Sequence, residues 1–189
     1  MNVLLLGGSK SGKSSAGQKM VKLLSNGGRM IYWAAMEPVD EEDEARIKMH
    51  IIDRAGWGFE TVECGKDILN RAGEVEGASV LFDSITALLA NEMFGGDFPD
   101  SSAAERAAES LIELSEHTKD LVCVCDEVFR DGISYEPLTE EYRRGLAYIC
   151  RRLALEFDAV CEASCGLISF KKYSSDDFEE FCDKLGRES

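Results

Sequence analysis

Eight consecutive residues near the N-terminus have the types and spacing of a phosphate-binding loop (P-loop). The motif G-x-x-x-x-G-K-[ST] is matched at every fixed position by Gly7-Gly8-Ser9-Lys10-Ser11-Gly12-Lys13-Ser14. The glycines let the backbone curl, so that successive N–H groups face the β-phosphate of a nucleotide. Lys13 then reaches the β- and γ-phosphates, which makes it a candidate catalytic residue, and the Ser14 hydroxyl holds Mg²⁺. A glycine turn with a solvated lysine is the alternative, but an apolar run before the motif and a helix start after it favour the P-loop.

A carboxylate is the second part of such a site, because Mg²⁺ prefers hard oxygen ligands. Asp83 follows the apolar run Val80-Leu81-Phe82, so we predict that it orients Mg²⁺ together with Ser14. The alternative is that Asp83 caps the helix that follows, and both roles are compatible. Asp126 and Glu127, which end another apolar run, compete for the metal role.

A histidine with flanking arginines is the candidate nucleophile. Arg46, His50 and Arg54 are spaced i, i+4, i+8, so on a helix they form one stripe. Two guanidinium groups beside an imidazole suit phosphate recognition next to a nucleophilic nitrogen. From periodicity alone, a solvated helix face is an equally good interpretation.

Alternating strand and helix patterns position these residues. We expect helices over 13–24, 40–53, 86–94, 103–117 and 139–157, strands over 3–6, 30–35, 59–63, 80–82 and 121–125, and a final hairpin over 159–170. This order predicts an α/β fold with a mostly parallel sheet, helices on both faces and a C-terminal hairpin. Residues 1–172 are predicted to form a single P-loop α/β domain, and 173–189 a polar, acidic tail or short helix.

The composition narrows the possible partners and location. The formal net charge is −15, from 36 acidic and 21 basic residues, which disfavours nucleic acid and anionic membrane surfaces as partners. No apolar run approaches the roughly 20 residues that span a bilayer, and the apolar run at the N-terminus is too short for a targeting segment. Seven cysteines, an odd number without metal-like clustering, are typical of free thiols in a reducing compartment. We therefore expect a cytoplasmic protein.

Further motifs follow the P-loop in a fixed order along the chain. They are the strand from Tyr32 to Ala34, Arg46-Ile47-x-x-His50-x-x-x-Arg54, Trp57, Glu63-Cys64, and Asp83-Ser84-Ile85-Thr86 followed by Asn91. Together they resemble the adenosylcobinamide kinase / adenosylcobinamide-phosphate guanylyltransferase family of cobalamin biosynthesis. The resemblance runs from Val3 to about Lys172. The arginine–histidine motif behind the P-loop makes it much more specific than the P-loop alone.

The resemblance implies a bifunctional enzyme. In that family the P-loop binds GTP or ATP, and the kinase half phosphorylates the aminopropanol hydroxyl of adenosylcobinamide. The histidine matching His50 takes up GMP from GTP and passes it to adenosylcobinamide phosphate. A RecA-like fold, a homotrimer and a small-molecule corrinoid partner are implied as well. Besides the P-loop, the positions matching the family's nucleotide contacts are Ala34, Ala35, Met36, Ile51, Ile52, Asp53, Arg54, Glu63 and Asp83.

The second half of the chain departs from the family pattern. Asp126-Glu127-Val128-Phe129 stands where the family has Asn-Glu-Val-Gly, Tyr135 replaces a usual proline, and Cys165-Gly166 replaces Ser-Gly. Ala35 and Met36 also stand where the family usually has hydroxyls. These differences leave two other hypotheses open: a P-loop phosphotransferase or nucleotidyltransferase acting on another acceptor, and a nucleotide-binding protein without catalysis.

Overall fold

The computed structural model describes residues 1–37, 55–173, 181, 182 and 185. The strands are β1 (Asn2–Gly7), β2 (Met30–Ala34), β3 (Glu60–Glu63), β4 (Ser79–Asp83), β5 (Asp120–Asp126), β6 (Ala159–Ser164) and β7 (Leu167–Tyr173). The helices are α1 (Lys13–Ser25), α2 (Ile85–Phe94), α3 (Ala103–His117) and α4 (Pro137–Glu156), with a 3-10 helix at Ile68–Val75. The predicted elements within these residues are confirmed to within three residues at each end. The 3-10 helix was not predicted, and the helix expected over 40–53 lies outside the described residues.

The strands form one sheet in the order β3-β2-β4-β5-β1-β6-β7. All neighbouring pairs are parallel except β6 and β7, which form an antiparallel hairpin at one edge. The predicted fold class is therefore confirmed: a mostly parallel α/β sheet of the P-loop type with a C-terminal hairpin.

Alternate residues of each central strand enter two separate cores. On β1, Leu4 packs on the face covered by α2, α3 and α4, whereas Val3 and Leu5 pack on the opposite face with Met20 and Val21 of α1. This follows from the period of two in a strand. Strands buried on both faces read as continuous apolar runs, which is why they were visible in the sequence.

The parallel arrangement brings several strand ends to one edge of the sheet. Gly7 at the end of β1 is in register with Asp126 at the end of β5, and Ala34 at the end of β2 is in register with Asp83 at the end of β4. Ligands of open α/β sheets bind outside the carboxyl ends of the strands. The predicted site residues that the structure describes lie at this edge.

Two residues beyond the hairpin also join the core. Phe181 and Leu185 are buried in the same cluster as Val3 and Leu5, on the face of the sheet that α1 covers. Their burial attaches part of the C-terminal segment to the domain, while the boundary between 172 and 173 stays a prediction.

Candidate nucleotide-binding site

The backbone of the P-loop has the curled form that the motif requires. The loop turns back between β1 and α1, with the Ser11 N–H donating to the Gly8 carbonyl at 3.2 Å. Gly12 precedes α1 with φ at 92°, in the left-handed region where a residue with a side chain is strained. The helix follows at once, since the Ala16 N–H donates to the Gly12 carbonyl at 2.9 Å. The first N–H groups of α1 are thereby left at the loop, where an anion can accept from them.

The turn between β6 and β7 contacts the P-loop from the side. The Gly166 N–H donates to the Ser11 carbonyl at 3.0 Å. An added Cβ on Gly12 would lie 3.4 Å from the Gly166 Cα, so the two backbones approach closely. The hairpin therefore fixes the outer side of the loop, a contact that the sequence did not predict.

Lys13 lies at the base of the loop with its ammonium group inward. Its Nζ donates to the Gly8 carbonyl at 3.0 Å and forms an ion pair with Asp126 Oδ1 at 2.6 Å. The Lys13 side chain is only 10% exposed. The predicted phosphate-binding lysine is therefore present and already paired with a carboxylate.

Asp126 is held by the strand and by Thr86 on α2. The Asp126 N–H donates to Thr86 Oγ1 at 3.0 Å, and the threonine hydroxyl donates to Asp126 Oδ2 at 3.4 Å. The sequence singled out Asp126 only as a competitor for the metal role. Its pairing with Lys13 has no local sequence signal, because the two residues are brought together only by the pairing of β1 with β5, whose ends are far apart in the chain.

Asp83 ends β4 on the same edge. Its Oδ2 accepts a hydrogen bond from the Tyr32 hydroxyl at 3.0 Å. The N-cap of α2 is the neighbouring Ser84, whose hydroxyl accepts from the Ala87 N–H at 3.3 Å. The alternative interpretation of Asp83 as the helix cap is therefore wrong, and its carboxylate is available to the site.

Of the other predicted nucleotide contacts, Ala34, Ala35, Met36 and Glu63 are among the described residues. Ala34 and Glu63 end adjacent strands in register, and the Glu63 side chain is exposed. Ala35 is fully buried and its N–H donates to the Asp83 carbonyl at 3.0 Å, while Met36 is partly exposed. These contacts stay predictions, as do those of the P-loop residues. His50, Ile51, Ile52, Asp53 and Arg54 lie outside the described residues.

Arg143 of α4 organises the loop that follows β5. Its guanidinium donates to the carbonyls of Val128 and Ile133, each at 2.9 Å, pairs with Asp131 at 2.6 Å, and lies over the Tyr135 ring at 4.6 Å. The pKa of Asp131 is lowered, first by the hydrogen bond from the Tyr135 hydroxyl and also by Arg143. Arg143 itself is buried, and it therefore fixes the chain just beyond Asp126.

The oxygen donors at the edge fit the chemistry of Mg²⁺. Ser14 lies next to Lys13 in the first turn of α1 and supplies a hydroxyl. Asp83 supplies a carboxylate that accepts a hydrogen bond from the uncharged Tyr32 hydroxyl. Mg²⁺ is bound in phosphoryl-transfer sites by one or two such groups together with substrate phosphates. These two residues are thus suited to hold the ion once a nucleotide supplies the remaining oxygens.

Several solved structures share similarity with this chain at low sequence identity. The flagellar accessory protein FlaH from Methanocaldococcus jannaschii has a TM-score of 0.43 and 14% identity, covering 92% of this chain and 78% of that one. The P4 protein from bacteriophage phi6 in complex with ADP has a TM-score of 0.42 and 15% identity, covering 89% of this chain and 53% of that one. A third structure, described as an ATPase domain, has a TM-score of 0.49 and 9% identity, covering 85% of this chain and 68% of that one. No curated protein sequence matches the chain significantly.

The sheet order, the curled loop between β1 and α1, and the buried lysine define a P-loop nucleotide-binding α/β protein. A family model described as cobinamide kinase / cobinamide phosphate guanyltransferase matches residues 3–169. The chain belongs to this family, and the resemblance seen in the sequence is confirmed. Membership makes the chain an enzyme of nucleotide transfer in cobalamin biosynthesis. Among the described residues, no helix is long and apolar enough to cross a membrane.

Proposed function

We propose that the protein is a bifunctional enzyme that phosphorylates adenosylcobinamide and transfers GMP from GTP to adenosylcobinamide phosphate. The observation that carries this proposal is the P-loop itself, in a chain that belongs to the family over residues 3–169. Lys13 is buried at the edge of the sheet where Asp83 and Asp126 also lie. A homotrimer in the cytoplasm, with GTP, ATP and Mg²⁺ as cofactors, belongs to the same proposal.

In the kinase reaction the acceptor hydroxyl attacks the γ-phosphorus of the nucleotide. The bond between this phosphorus and the β-γ bridging oxygen breaks, the nucleoside diphosphate leaves, and the acceptor hydroxyl releases its proton to water. Lys13 and the N–H groups at the start of α1 stabilise the charge on the transferring and leaving oxygens. Mg²⁺, held by Ser14 and Asp83, would supply further charge compensation.

In the guanylyl transfer an imidazole nitrogen of His50 attacks the α-phosphorus of GTP. A P–N bond forms, the P–O bond to the β-phosphate breaks, and pyrophosphate leaves. A phosphate oxygen of adenosylcobinamide phosphate then attacks the same phosphorus, the P–N bond breaks, and His50 is regenerated. Arg46 and Arg54, at helical spacing from His50, are proposed to orient the phosphates.

Labelling with α-³²P-GTP and Mg²⁺ tests the histidine step directly. We expect label on the protein that is labile in acid and stable in base, as is typical of a P–N bond at imidazole. His50→Asn should abolish this label. The matched control is His117→Asn: His117 ends α3, its Nδ1 lies 3.0 Å from Glu76, and its replacement should leave labelling unchanged.

Adding adenosylcobinamide phosphate to the labelled protein distinguishes the hypotheses. Transfer of label to the corrinoid supports the proposed function, and transfer of γ-³²P to adenosylcobinamide tests the kinase half separately. Stable label without transfer would favour another acceptor, and nucleotide binding without label would favour a non-catalytic protein. Light scattering during gel filtration tests the homotrimer.

A further inference from the structure

In the ion pair with Asp126, the Lys13 ammonium group already contacts a carboxylate, and this ammonium group is the one expected to bind the nucleotide phosphates. Lys13 Nζ lies 2.6 Å from Asp126 Oδ1, and the Lys13 side chain is 10% exposed. The lysine of a P-loop normally reaches the β- and γ-phosphates. A phosphate that enters the loop therefore meets a lysine whose charge is already balanced.

The sheet holds the backbone of Asp126 in position beside the P-loop. Its backbone forms the last pairing of β5 with β1, where Asp126 is in register with Gly7, and its N–H donates to Thr86 Oγ1. The Glu127 N–H donates to the Gly7 carbonyl at 3.1 Å, which ties the next residue to the P-loop strand as well. The backbone of Asp126 is thus a fixed part of the site, and its carboxylate also accepts a hydrogen bond from the Thr86 hydroxyl at 3.4 Å.

A second carboxylate at this edge of the sheet adds to the negative charge near Lys13. Asp83 and Asp126 end the neighbouring strands β4 and β5. Two carboxylates therefore lie at the same edge of the sheet as Lys13, the buried lysine of the P-loop. Lys13 is largely shielded from water while the Asp126 side chain is 32% exposed, so solvent and salt screen their pairing only in part. A nucleotide without a bound cation would add negative charge to this arrangement.

We propose that Asp126 competes with the nucleotide phosphates for Lys13 and thereby makes tight nucleotide binding depend on a divalent cation. The proposal rests on the proposed nucleotide site. When a cation accompanies the nucleotide, the added negative charge is balanced, and Lys13 can contact phosphate and Asp126 together. Without the cation, the carboxylate and the phosphates exclude each other. Asp126 is a positioning residue in this proposal, since it acts through Lys13.

The test compares wild type with Asp126→Asn, using a fluorescent GTP analogue in Mg²⁺ and in EDTA. Asparagine keeps the contacts, because its oxygen can accept from Lys13 and its amide can donate to Thr86. We expect affinity in EDTA to rise about tenfold in the variant, while affinity in Mg²⁺ changes by less than about threefold. The matched control is Glu162→Gln on β6, which removes one charge from a carboxylate paired with Arg130 and Lys171. Its ratio of the two affinities should equal that of wild type.

The outcomes separate this inference from the proposed function. If wild type binds nucleotide in Mg²⁺ but Asp126→Asn shows an unchanged ratio of affinities, the ion pair is structural and the inference is wrong. If wild type does not bind nucleotide in Mg²⁺, the proposed function fails, and the inference with it. Asp126→Ser, which removes the charge with a smaller side chain, provides the same comparison should the asparagine variant melt below the assay temperature.

Discussion

Gly7→Ala tests whether the P-loop is as tightly enclosed as the structure indicates. A Cβ on Gly7 would lie 2.6 Å from Ser11 Oγ and 2.8 Å from the Ala163 carbonyl oxygen. The serine hydroxyl can rotate away. The carbonyl belongs to β6, whose pairing with β1 places Ala163 in register with Gly7, so it cannot retreat without breaking the sheet. The contact with this carbonyl decides the cost.

Forcing a methyl group into such a packed site costs about 1–3 kcal/mol of stability. For a domain of this size, about 2 kcal/mol lowers the melting temperature by about 4–8 °C. If the strain is instead relieved by distorting the loop, about 1–3 kcal/mol would weaken nucleotide binding by about fivefold to 150-fold. We therefore expect Gly7→Ala to lose stability, nucleotide affinity, or some of both.

Thermal unfolding and titration with a fluorescent nucleotide measure the two effects. Gly8→Ala is the control for stability, because a Cβ at Gly8 would have no atom within 4 Å. In the double variant Gly7→Ala/Ser11→Ala the contact with Ser11 Oγ is removed and the contact with Ala163 remains, so the loss should persist. If Gly7→Ala unfolds and binds nucleotide like wild type, the enclosure of the loop by β6 is refuted.

Three further predictions concern groups around the site. Tyr32→Phe removes the hydrogen bond to Asp83 and should raise the Mg²⁺ concentration needed for nucleotide binding about tenfold, measured by titrating Mg²⁺, with the melting temperature nearly unchanged. Arg143→Lys keeps the charge but loses the two-carbonyl geometry, so the loop after β5 should be cut faster by protease; equal cutting in wild type and variant would contradict this. Burial raises the pKa of the Cys123 and Cys161 thiols, to about 12 for Cys161. Because the folded protein favours the protonated thiols, their contribution to stability is complete below the ordinary thiol pKa of 9.0 and is lost as the pH rises above it. Between about pH 7.5 and pH 10 the free energy of unfolding should fall by about 1 kcal/mol for each such thiol, measured by urea unfolding, and a constant urea midpoint would exclude this for Cys123 and Cys161.

The sequence predicted those parts of the structure that local patterns determine. The strands read as apolar runs because both of their faces are buried, and the P-loop was recognised because its glycines and Lys13 lie close together in the chain. The 3-10 helix at Ile68–Val75 was missed because its burial depends on packing against other elements. The pairing of Lys13 with Asp126 and of Tyr32 with Asp83 could not be predicted, since each joins residues from different elements whose order in the sheet the sequence does not state.

Three of the departures from the family pattern that the sequence resembles can be located in the structure. The replacement of serine by Cys165 leaves the contact with the P-loop intact, because that contact uses the backbone N–H of Gly166. Where the family usually has proline, the Tyr135 ring packs on Arg143 and its hydroxyl donates to Asp131 at 2.6 Å, so side-chain contacts order the turn in place of a proline ring. Asp126 is different, because a carboxylate in place of an amide places a full negative charge next to the Lys13 ammonium group. Of these three departures, only Asp126 places a charge beside Lys13, so it is the first residue to test for any difference in nucleotide handling from the rest of the family.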